Sequence, residues 1–183
     1  MANKSQFYLS MCVEAASKSP MNFNLGSIIV KGGKVLSSGY NHQRSRYDEA
    51  YDNTLATPLS MHSEMHAIFR LTRGKAPSFK QQTMNLPLVE RLRDHRLNGA
   101  DLYVVRVTKV GMGTAKPCNR CVYWCRWAGI RRIYHWDQDS SAFLCIKVND
   151  YQTENYETRA DDLRRASPNR ITKANVVCRC ITD

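Results

Sequence analysis

The chain has 183 residues and a net charge of +11, and a composition of 43% hydrophobic and 23% charged residues excludes a disordered segment and fits one globular domain. No apolar run approaches the ~20 residues that cross a bilayer, and the polar residues 1–6 do not begin a secretory signal. We therefore expect an intracellular protein, cytoplasmic or nuclear, whose seven cysteines are thiols or metal ligands rather than disulfides.

The hydrophobic pattern alternates between helical and β periods along the chain. In chain order it predicts a helix over 5–18, strands over 25–31 and 34–40, helices over 62–73 and 86–97, a strand over 101–108, a helix over 118–128, and strands over 130–136 and 143–148. Gly32-Gly33 between two β-rich runs indicates a hairpin, whereas residues 41–61 and 109–116 are expected to be loops. This order predicts an α/β domain with a mixed sheet of about five strands and helices on both faces.

Two short motifs at predicted helix starts carry the residue types of a metal site. They are His-Ser-Glu at residues 62–64 and Pro-Cys-Asn-Arg-Cys at residues 117–121. Together they offer three zinc ligands: His62, Cys118 and Cys121. Three protein ligands leave one tetrahedral position for water, which is typical of a catalytic zinc site. Glu64 is then free to take a proton from that water and pass it on.

A closed, structural zinc site is the alternative interpretation of these motifs. It needs a fourth ligand, which Cys125 or His66 would supply from one helical turn further along, and it leaves Glu64 without a role. The other cysteines before residue 150 are expected to be buried thiols: Cys12, Cys125 and Cys145. A second metal at Cys178 and Cys180 is less favoured, because no partner ligand is evident.

His-x-Glu followed by Pro-Cys-x-x-Cys is typical of zinc-dependent nucleobase deaminases. Over roughly residues 5–148 the sequence resembles the cytidine and deoxycytidylate deaminase superfamily, which includes tRNA adenosine deaminases and polynucleotide cytidine deaminases. The resemblance includes the hairpin LGSIIVKGGKVLSSGYN and the helix starts MHSEMHAI and KPCNRC. It implies a three-layer α/β/α sandwich around a five-stranded mixed sheet. It also implies Zn²⁺ as cofactor and a hydrolytic deamination, in which Glu64 is catalytic and protonates the ring nitrogen and the leaving ammonia.

The resemblance further implies contacts to the substrate. Asn41, which ends the segment Gly-Tyr-Asn, is expected to hold the substrate, and the backbone N–H of Ser63 is expected to contact the base carbonyl. Pro117 is also expected to contact the substrate. The candidate nucleic-acid contacts are Arg44, Arg46, Arg120 and Trp124. For Trp124, three residues before Trp127 on a predicted helix, core packing is the more typical role.

Two parts of the chain depart from the family pattern. Residues 74–98 lengthen the gap between the two motifs, and the C-terminal tail after residue 150 has no evident counterpart in the family. We therefore predict a deaminase domain over 1–150 with a basic insertion at 74–98, and a C-terminal extension over 151–183 that packs on the same domain.

The positive charge is concentrated in the segment that holds both motifs. Residues 62–136 contain fourteen Lys and Arg against four Asp and Glu, a net charge of +10, whereas residues 1–61 carry +2 and residues 137–183 carry −1. The seven basic and two acidic side chains of 70–96 form either a phosphate-binding surface or a solvated face. The concentration favours deamination of cytosine to uracil in single-stranded DNA or RNA.

Other substrates and partners stay open from the sequence. A free nucleoside or nucleotide, either deoxycytidylate-like or a riboflavin-pathway pyrimidine, needs only one or two basic groups, and tRNA adenosine is a further alternative. A zinc-stabilised nucleic-acid binder without catalysis is disfavoured by the intact Glu64. No membrane partner is expected, and homo-oligomers are suggested by analogy alone.

Overall fold

The computed structural model describes residues 4–44, 60–77 and 92–151. These residues form three helices and six strands. Their bounds are α1 (Lys4–Ala16), β1 (Asn24–Lys31), β2 (Lys34–Tyr40), α2 (Ser63–Leu71), β3 (Asp101–Thr108), β4 (Gly111–Gly113), α3 (Asn119–Ala128), β5 (Arg132–Asp137) and β6 (Ala142–Lys147). Within this described part, no helix is both long and apolar enough to span a membrane.

The strands form one mixed sheet with the order β2-β1-β3-β5-β6, and β4 pairs with β3. The β3–β5 pair is parallel, and all other pairs are antiparallel. This confirms the predicted α/β class and the mixed sheet, with one strand more than expected. The additional strand, β4, lies inside the expected loop 109–116. Gly111 allows the tight reversal there with a φ of 136°, and Thr108 Oγ1 donates to its carbonyl oxygen at 2.8 Å.

The sheet lies between helices, as the three-layer prediction requires. In β3, Leu102 and Val104 are buried in the same cluster as α2 and α3, whereas Val105 is buried with residues of α1. Because successive side chains of a strand point to opposite faces, α1 covers one face of the sheet and α2 and α3 cover the other.

Two glycines let helices approach the sheet at backbone contact. A Cβ atom on Gly26 would lie 2.0 Å from the carbonyl oxygen of Cys12 in α1. A Cβ atom on Gly39 would lie 2.3 Å from the carbonyl oxygen of Ser63 in α2. Both distances are far shorter than van der Waals contact, so glycine is required at each position. Gly39 therefore fixes the first turn of α2 directly against β2.

Two sequence predictions need correction. Residues 92–97 were expected to end a helix over 86–97, but none of them is helical and a turn spans residues 95–99; residues 86–91 lie outside the described part of the chain. Asp94 explains the turn, because its carboxylate accepts the Arg96 N–H at 2.9 Å and its carbonyl oxygen accepts the Leu97 N–H at 3.1 Å. Cys145 was expected to be buried but is exposed on β6.

Candidate active site

Three ligand atoms from distant parts of the chain meet in one small triangle. His62 Nδ1 lies 3.3 Å from Cys121 Sγ and 3.4 Å from Cys118 Sγ, and the two sulfur atoms are 3.5 Å apart. Tetrahedral zinc with bonds of about 2.0–2.3 Å requires ligand–ligand distances of about 3.4–3.8 Å. The triangle therefore fits zinc, and its three members are the predicted ligands.

Each motif lies at the start of a helix, and the local backbone explains why its side chain faces the metal. His62 and Cys118 precede α2 and α3 in extended conformations, with φ/ψ of −72°/156° and −75°/165°. Their carbonyl oxygens accept the first helical hydrogen bonds, from His66 N–H at 2.9 Å and Val122 N–H at 3.1 Å. The free N–H groups of both first turns therefore point out of the helix ends, where they favour negative charge.

Glu64 is the acidic group of the site and is only 3% exposed. Ser63 Oγ donates a hydrogen bond of 3.0 Å to Glu64 Oε2. Burial raises the pKa of the Glu64 carboxyl, and the charge of His62 and the Ser63 hydroxyl partly oppose that rise. The raised pKa makes the Glu64 carboxylate a stronger base than an ordinary glutamate, which suits a group that accepts a proton and returns it in general acid–base catalysis.

The surroundings shift the pKa values of the two cysteine ligands in opposite directions. The hydrogen bond between the two sulfur atoms and the adjacent His62 ring lower the pKa of Cys118 well below its ordinary value. Burial raises the pKa of Cys121. These directions favour the thiolate at Cys118 over that at Cys121, and zinc bound by both sulfur atoms would require both thiols to lose their protons.

The structure does not support the closed, structural zinc site. Within the described residues the ligand group contains neither Cys125 nor His66. Cys125 is fully buried one turn further along α3, and His66 Nδ1 lies 2.9 Å from the carbonyl oxygen of Tyr40. The triangle thus leaves one position of the tetrahedron to water or substrate.

Asn41, the predicted substrate contact, is buried and holds the chain segment before β1. Its Oδ1 accepts the Leu25 N–H and the Ser19 hydroxyl, each at 2.8 Å. Its Nδ2 donates to the carbonyl oxygen of Phe23 at 2.8 Å. One Nδ2 hydrogen is left for a substrate, so the predicted role requires that hydrogen.

The other predicted substrate residues are also buried beside the ligands. Ser63 begins α2 and is 0% exposed, and Pro117 directly precedes Cys118. The Ser63 N–H is in the first turn of α2, where the helix provides no acceptor for it. The substrate roles of both residues stay predictions.

The four predicted nucleic-acid contacts have different outcomes. Arg44 is exposed and lies over the Phe69 ring, 4.7 Å from its centroid, and Arg120 is half-buried in the first turn of α3. Trp124 is 0% exposed within the core, so the prediction that it contacts nucleic acid is wrong and the core-packing alternative is confirmed. Arg46 lies outside the described residues.

A pair of residues beside Asn41 was not predicted from the sequence. The Phe23 ring is 45% exposed, and the Arg106 guanidinium lies 4.6 Å from its centroid. Arg106 follows Leu102 and Val104 by steps of two, so it shares their face of the sheet with α2 and α3. The signal was available, because ligands commonly bind at the carboxyl ends of parallel strands and Arg106 is a charge near such an end.

Comparison with known proteins agrees with the metal site. Residues 2–136 match the family model of the cytidine and deoxycytidylate deaminase zinc-binding region. A cytidine deaminase from Burkholderia pseudomallei superposes with a TM-score of 0.51 at 18% identity, covering 82% of this chain and 98% of that chain. At this identity the likeness shows the shared fold.

Two further solved structures are similar over a smaller share of this chain. A dCMP deaminase from the cyanophage S-TIM5 is 18% identical, covers 73% of this chain and 82% of its own, and has a TM-score of 0.44. A diaminohydroxyphosphoribosylaminopyrimidine deaminase/5-amino-6-(5-phosphoribosylamino)uracil reductase from Thermotoga maritima is 17% identical, covers 71% and 28%, and has a TM-score of 0.40. No curated protein matches the chain. Because the matched residues 2–136 include Glu64 and all three members of the ligand triangle, the chain belongs to the cytidine and deoxycytidylate deaminase family and is a zinc-binding deaminase.

Proposed function

We propose that this deaminase hydrolyses cytosine to uracil in single-stranded nucleic acid. The observation that carries the proposal is the charge of the segment 62–136, which contains Glu64 and every zinc ligand and has a net charge of +10. One nucleotide phosphate needs one or two cations, so a charge of this size is more useful to a strand with several phosphates.

The chemistry assigned to the site is acid–base catalysis beside a metal. Zinc, when bound by His62, Cys118 and Cys121, supplies Lewis-acid activation of water. Glu64 accepts a proton as the water oxygen forms its bond to the ring carbon that bears the amine. Glu64 gives that proton to the ring nitrogen, takes the second proton from the hydroxyl now bonded to the ring carbon, and gives it to the amine; the carbon–nitrogen bond breaks, and ammonia leaves. The products are uracil and ammonia, so the atoms of one water molecule are all accounted for.

The residues around the reacting base have orienting roles in this proposal. The Ser63 N–H, aimed out of the start of α2, donates to the base carbonyl. The second Nδ2 hydrogen of Asn41 reaches the sugar or base. The exposed Phe23 ring gives the base a flat surface, and Arg106 above that ring provides a cation for an adjoining phosphate.

Cations lie beside both catalytic helices. Arg44 lies beside α2, where its guanidinium covers Phe69. Lys116 immediately precedes the motif at 117–121, and Arg120 lies in the first turn of α3. This arrangement supports a path for a phosphate chain past the metal site in both directions.

A free nucleotide is the second candidate substrate. The family is named for cytidine and deoxycytidylate, and the similar structures include a dCMP deaminase. In this case Arg106 alone provides the phosphate contact, and the other cations serve solubility. Adenosine in tRNA and riboflavin-pathway pyrimidines are less favoured, since no feature of the described residues selects them.

Activity measurements on a set of substrates distinguish these candidate functions. We expect the zinc-loaded protein to convert cytosine in a single-stranded oligonucleotide with a higher kcat/KM than cytosine in dCMP, CMP or cytidine. Activity on the monomers alone would contradict the proposal and favour the nucleotide alternative. Activity on adenosine in a tRNA substrate alone would contradict both.

A further inference from the structure

The side of the sheet opposite the metal site carries a row of aromatic rings. Tyr103 and Tyr134 are paired across the parallel strands β3 and β5, and their rings stack at 4.6 Å with an interplanar angle of 10°. Phe143 on β6 lies 5.3 Å from the Tyr103 ring and 5.5 Å from Trp136. We call these four residues the aromatic face, and all four are partly exposed.

The aromatic face borders a concave groove of about 420 Å³. Tyr103, Tyr134 and Phe143 line it, and Lys4 at the start of α1 forms part of its rim. α1 packs on β1, β2 and β3 and reaches the groove through Tyr8, whose ring lies 4.8 Å from Tyr103. The aromatic side chains of β5 and β6 thus lie on the same face of the sheet as α1, next to the part that α1 covers.

A row of cations lies directly beside the rings on the same side of the sheet. Arg132 is two residues before Tyr134, and its Nη1 donates to the Tyr134 hydroxyl at 3.5 Å. Lys147 is the cross-strand partner of Arg132, so both side chains point to the aromatic face. Asp150 lies 3.8 Å from Lys147, but both groups are 71% exposed, and such a pair is weak.

Asp101, which lines the groove, is paired with a cation. Asp101 is paired with Arg132 in the β3–β5 register, and Arg131 Nη2 lies 3.1 Å from Asp101 Oδ2. With Asp150 counted against them, Arg132, Lys147 and Lys4 still leave a positive balance next to the partly exposed rings. Aromatic rings that stack bases, beside cations that hold phosphates, are how proteins bind single-stranded nucleic acid without sequence preference.

The last described residues lie on the other side of the sheet. Arg126 in α3 donates to the carbonyl oxygens of Val148 and Tyr151, at 3.0 Å and 3.2 Å. Val148 is buried with α2 and α3, and Tyr151 packs against the same cluster. Val148 and Tyr151 are therefore packed on the face of the sheet opposite the aromatic face.

We propose that the aromatic face is a second binding site for single-stranded nucleic acid, with bases stacked on Tyr134 and Phe143, which Tyr103 supports from below, and phosphates held by Arg132 and Lys147. The proposal goes beyond the proposed deamination, because it concerns the side of the sheet away from the metal. A strand bound there would be held on the enzyme while another part of it enters the catalytic site.

Photocrosslinking tests this placement in the full, zinc-loaded chain. A single-stranded oligonucleotide carrying 5-iodouracil is bound and irradiated, and the crosslinked peptides are identified by mass spectrometry. We expect adducts on Tyr103, Tyr134, Trp136 or Phe143. Adducts confined to other residues, or none, would overturn the proposal, including the case in which residues 152–183 or a second copy cover this face.

Two variants give the same test a quantitative form. Tyr134→Leu keeps an apolar side chain and should weaken oligonucleotide binding about 5- to 150-fold, the effect of losing one stacked base. Arg132→Gln with Lys147→Gln should reduce the slope of log affinity against log salt by about 1.4, for two single-strand phosphate contacts. The matched control replaces two exposed lysines away from this face, Lys18 and Lys109, with Gln. An equal loss in the control pair would overturn the proposal.

The catalytic proposal is tested separately in the same samples. Turnover of dCMP should be unchanged by Tyr134→Leu, because the ring lies across the sheet from the metal. Crosslinks at the aromatic face without deamination of any oligonucleotide would support this second site and contradict the proposed catalytic substrate.

Discussion

His62 Nδ1 and Cys121 Sγ lie 3.3 Å apart although 59 positions separate them in the chain. The contact exists because α2 and α3 begin side by side on one face of the sheet, each preceded by an extended residue. A metal held at this point joins the two helix starts. Zinc therefore stabilises the native arrangement as well as supplying the reaction chemistry.

The ligand assignment predicts different results for two buried cysteines of α3. Cys121→Ser should lose zinc, because it removes one of three ligands. Cys125→Ser, one turn further along the same helix, should keep one zinc per chain, because Cys125 is outside the ligand triangle. Metal analysis of the purified variants measures both. Zinc loss in the Cys125 variant, or retention in the Cys121 variant, would contradict the assignment.

The role of Glu64 predicts loss of turnover without loss of metal. Glu64→Gln keeps the size of the buried side chain but cannot carry the proton, so kcat should fall by at least about 10²–10⁴-fold. Zinc content should match that of the parent protein, since Glu64 is not in the ligand triangle. A Gln variant with near-normal kcat would show that another group transfers the proton.

The Ser63 N–H can be tested by removing it without disturbing the helix. Ser63 is the first residue of α2, where proline is well tolerated, and His62 already has the extended backbone that precedes proline. Ser63→Pro should lower kcat/KM about 10-fold by deleting one hydrogen bond to the base, whereas Ser63→Ala keeps the N–H. If both variants lose the same activity, the loss belongs to the hydroxyl, which bonds Glu64 Oε2.

The close contact between Gly39 and α2 predicts that adding a single methyl group at position 39 strongly destabilises the fold. Gly39→Ala places a Cβ atom 2.3 Å from the carbonyl oxygen of Ser63, a backbone atom that cannot move aside without shifting α2. The free energy of unfolding should fall by about 3 kcal/mol or more. Gly113→Ala is the control, because its nearest neighbour is the Thr108 side chain at 3.2 Å. Urea unfolding should rank the two clearly, and equal stabilities would be inconsistent with this packing.

His66 predicts a pH dependence of stability. Burial, with the nearby charges of His42, Arg70 and Arg44, lowers the pKa of His66 to about 4, although the Tyr40 backbone opposes the shift. An unfolded histidine has a pKa of about 6.5, so between these values the unfolded state binds more protons. The free energy of unfolding should therefore fall as pH drops from about 6.5 towards 4, and level off below.

A non-titrating variant isolates this contribution. His66→Asn preserves a polar atom near the position of Nδ1 and should flatten the decline between about pH 6.5 and 4. Chemical denaturation across this range measures it. An unchanged decline in the variant would assign the pH dependence to other groups.

Much of this fold was predictable because its signals are local. The β-rich runs around Gly32-Gly33 and the alternation of residues 101–108 predicted their strands to within a residue. The strand β4 was missed because its three residues include two glycines, and only pairing with β3 makes it a strand. The turn at Asp94 was missed for a similar reason, since side-chain bonds to the backbone compete with helix formation there.

The residues of the site could be predicted where the chemistry requires a particular residue type. They were harder to predict where burial and contacts depend on tertiary packing. Zinc requires ligands of particular kinds, so His62, Cys118 and Cys121 could be predicted from the residue types and the spacing of the two motifs. The burial of Trp124 depends on what packs around α3, which helical spacing does not specify. Phe23 and Arg106 are separated in sequence and meet only because Leu25 pairs with Arg106 across β1 and β3.

The most direct test of the central claim uses a single-stranded oligonucleotide with one cytosine. The zinc-loaded protein should convert that cytosine to uracil, detected by mass spectrometry, with release of one ammonia per conversion and with kcat/KM above that for dCMP. The Glu64→Gln variant, with its zinc retained, should leave the strand unchanged. An unconverted strand in the presence of an enzyme that deaminates dCMP would contradict the account of the substrate, and conversion by the Gln variant would contradict the account of the catalytic site.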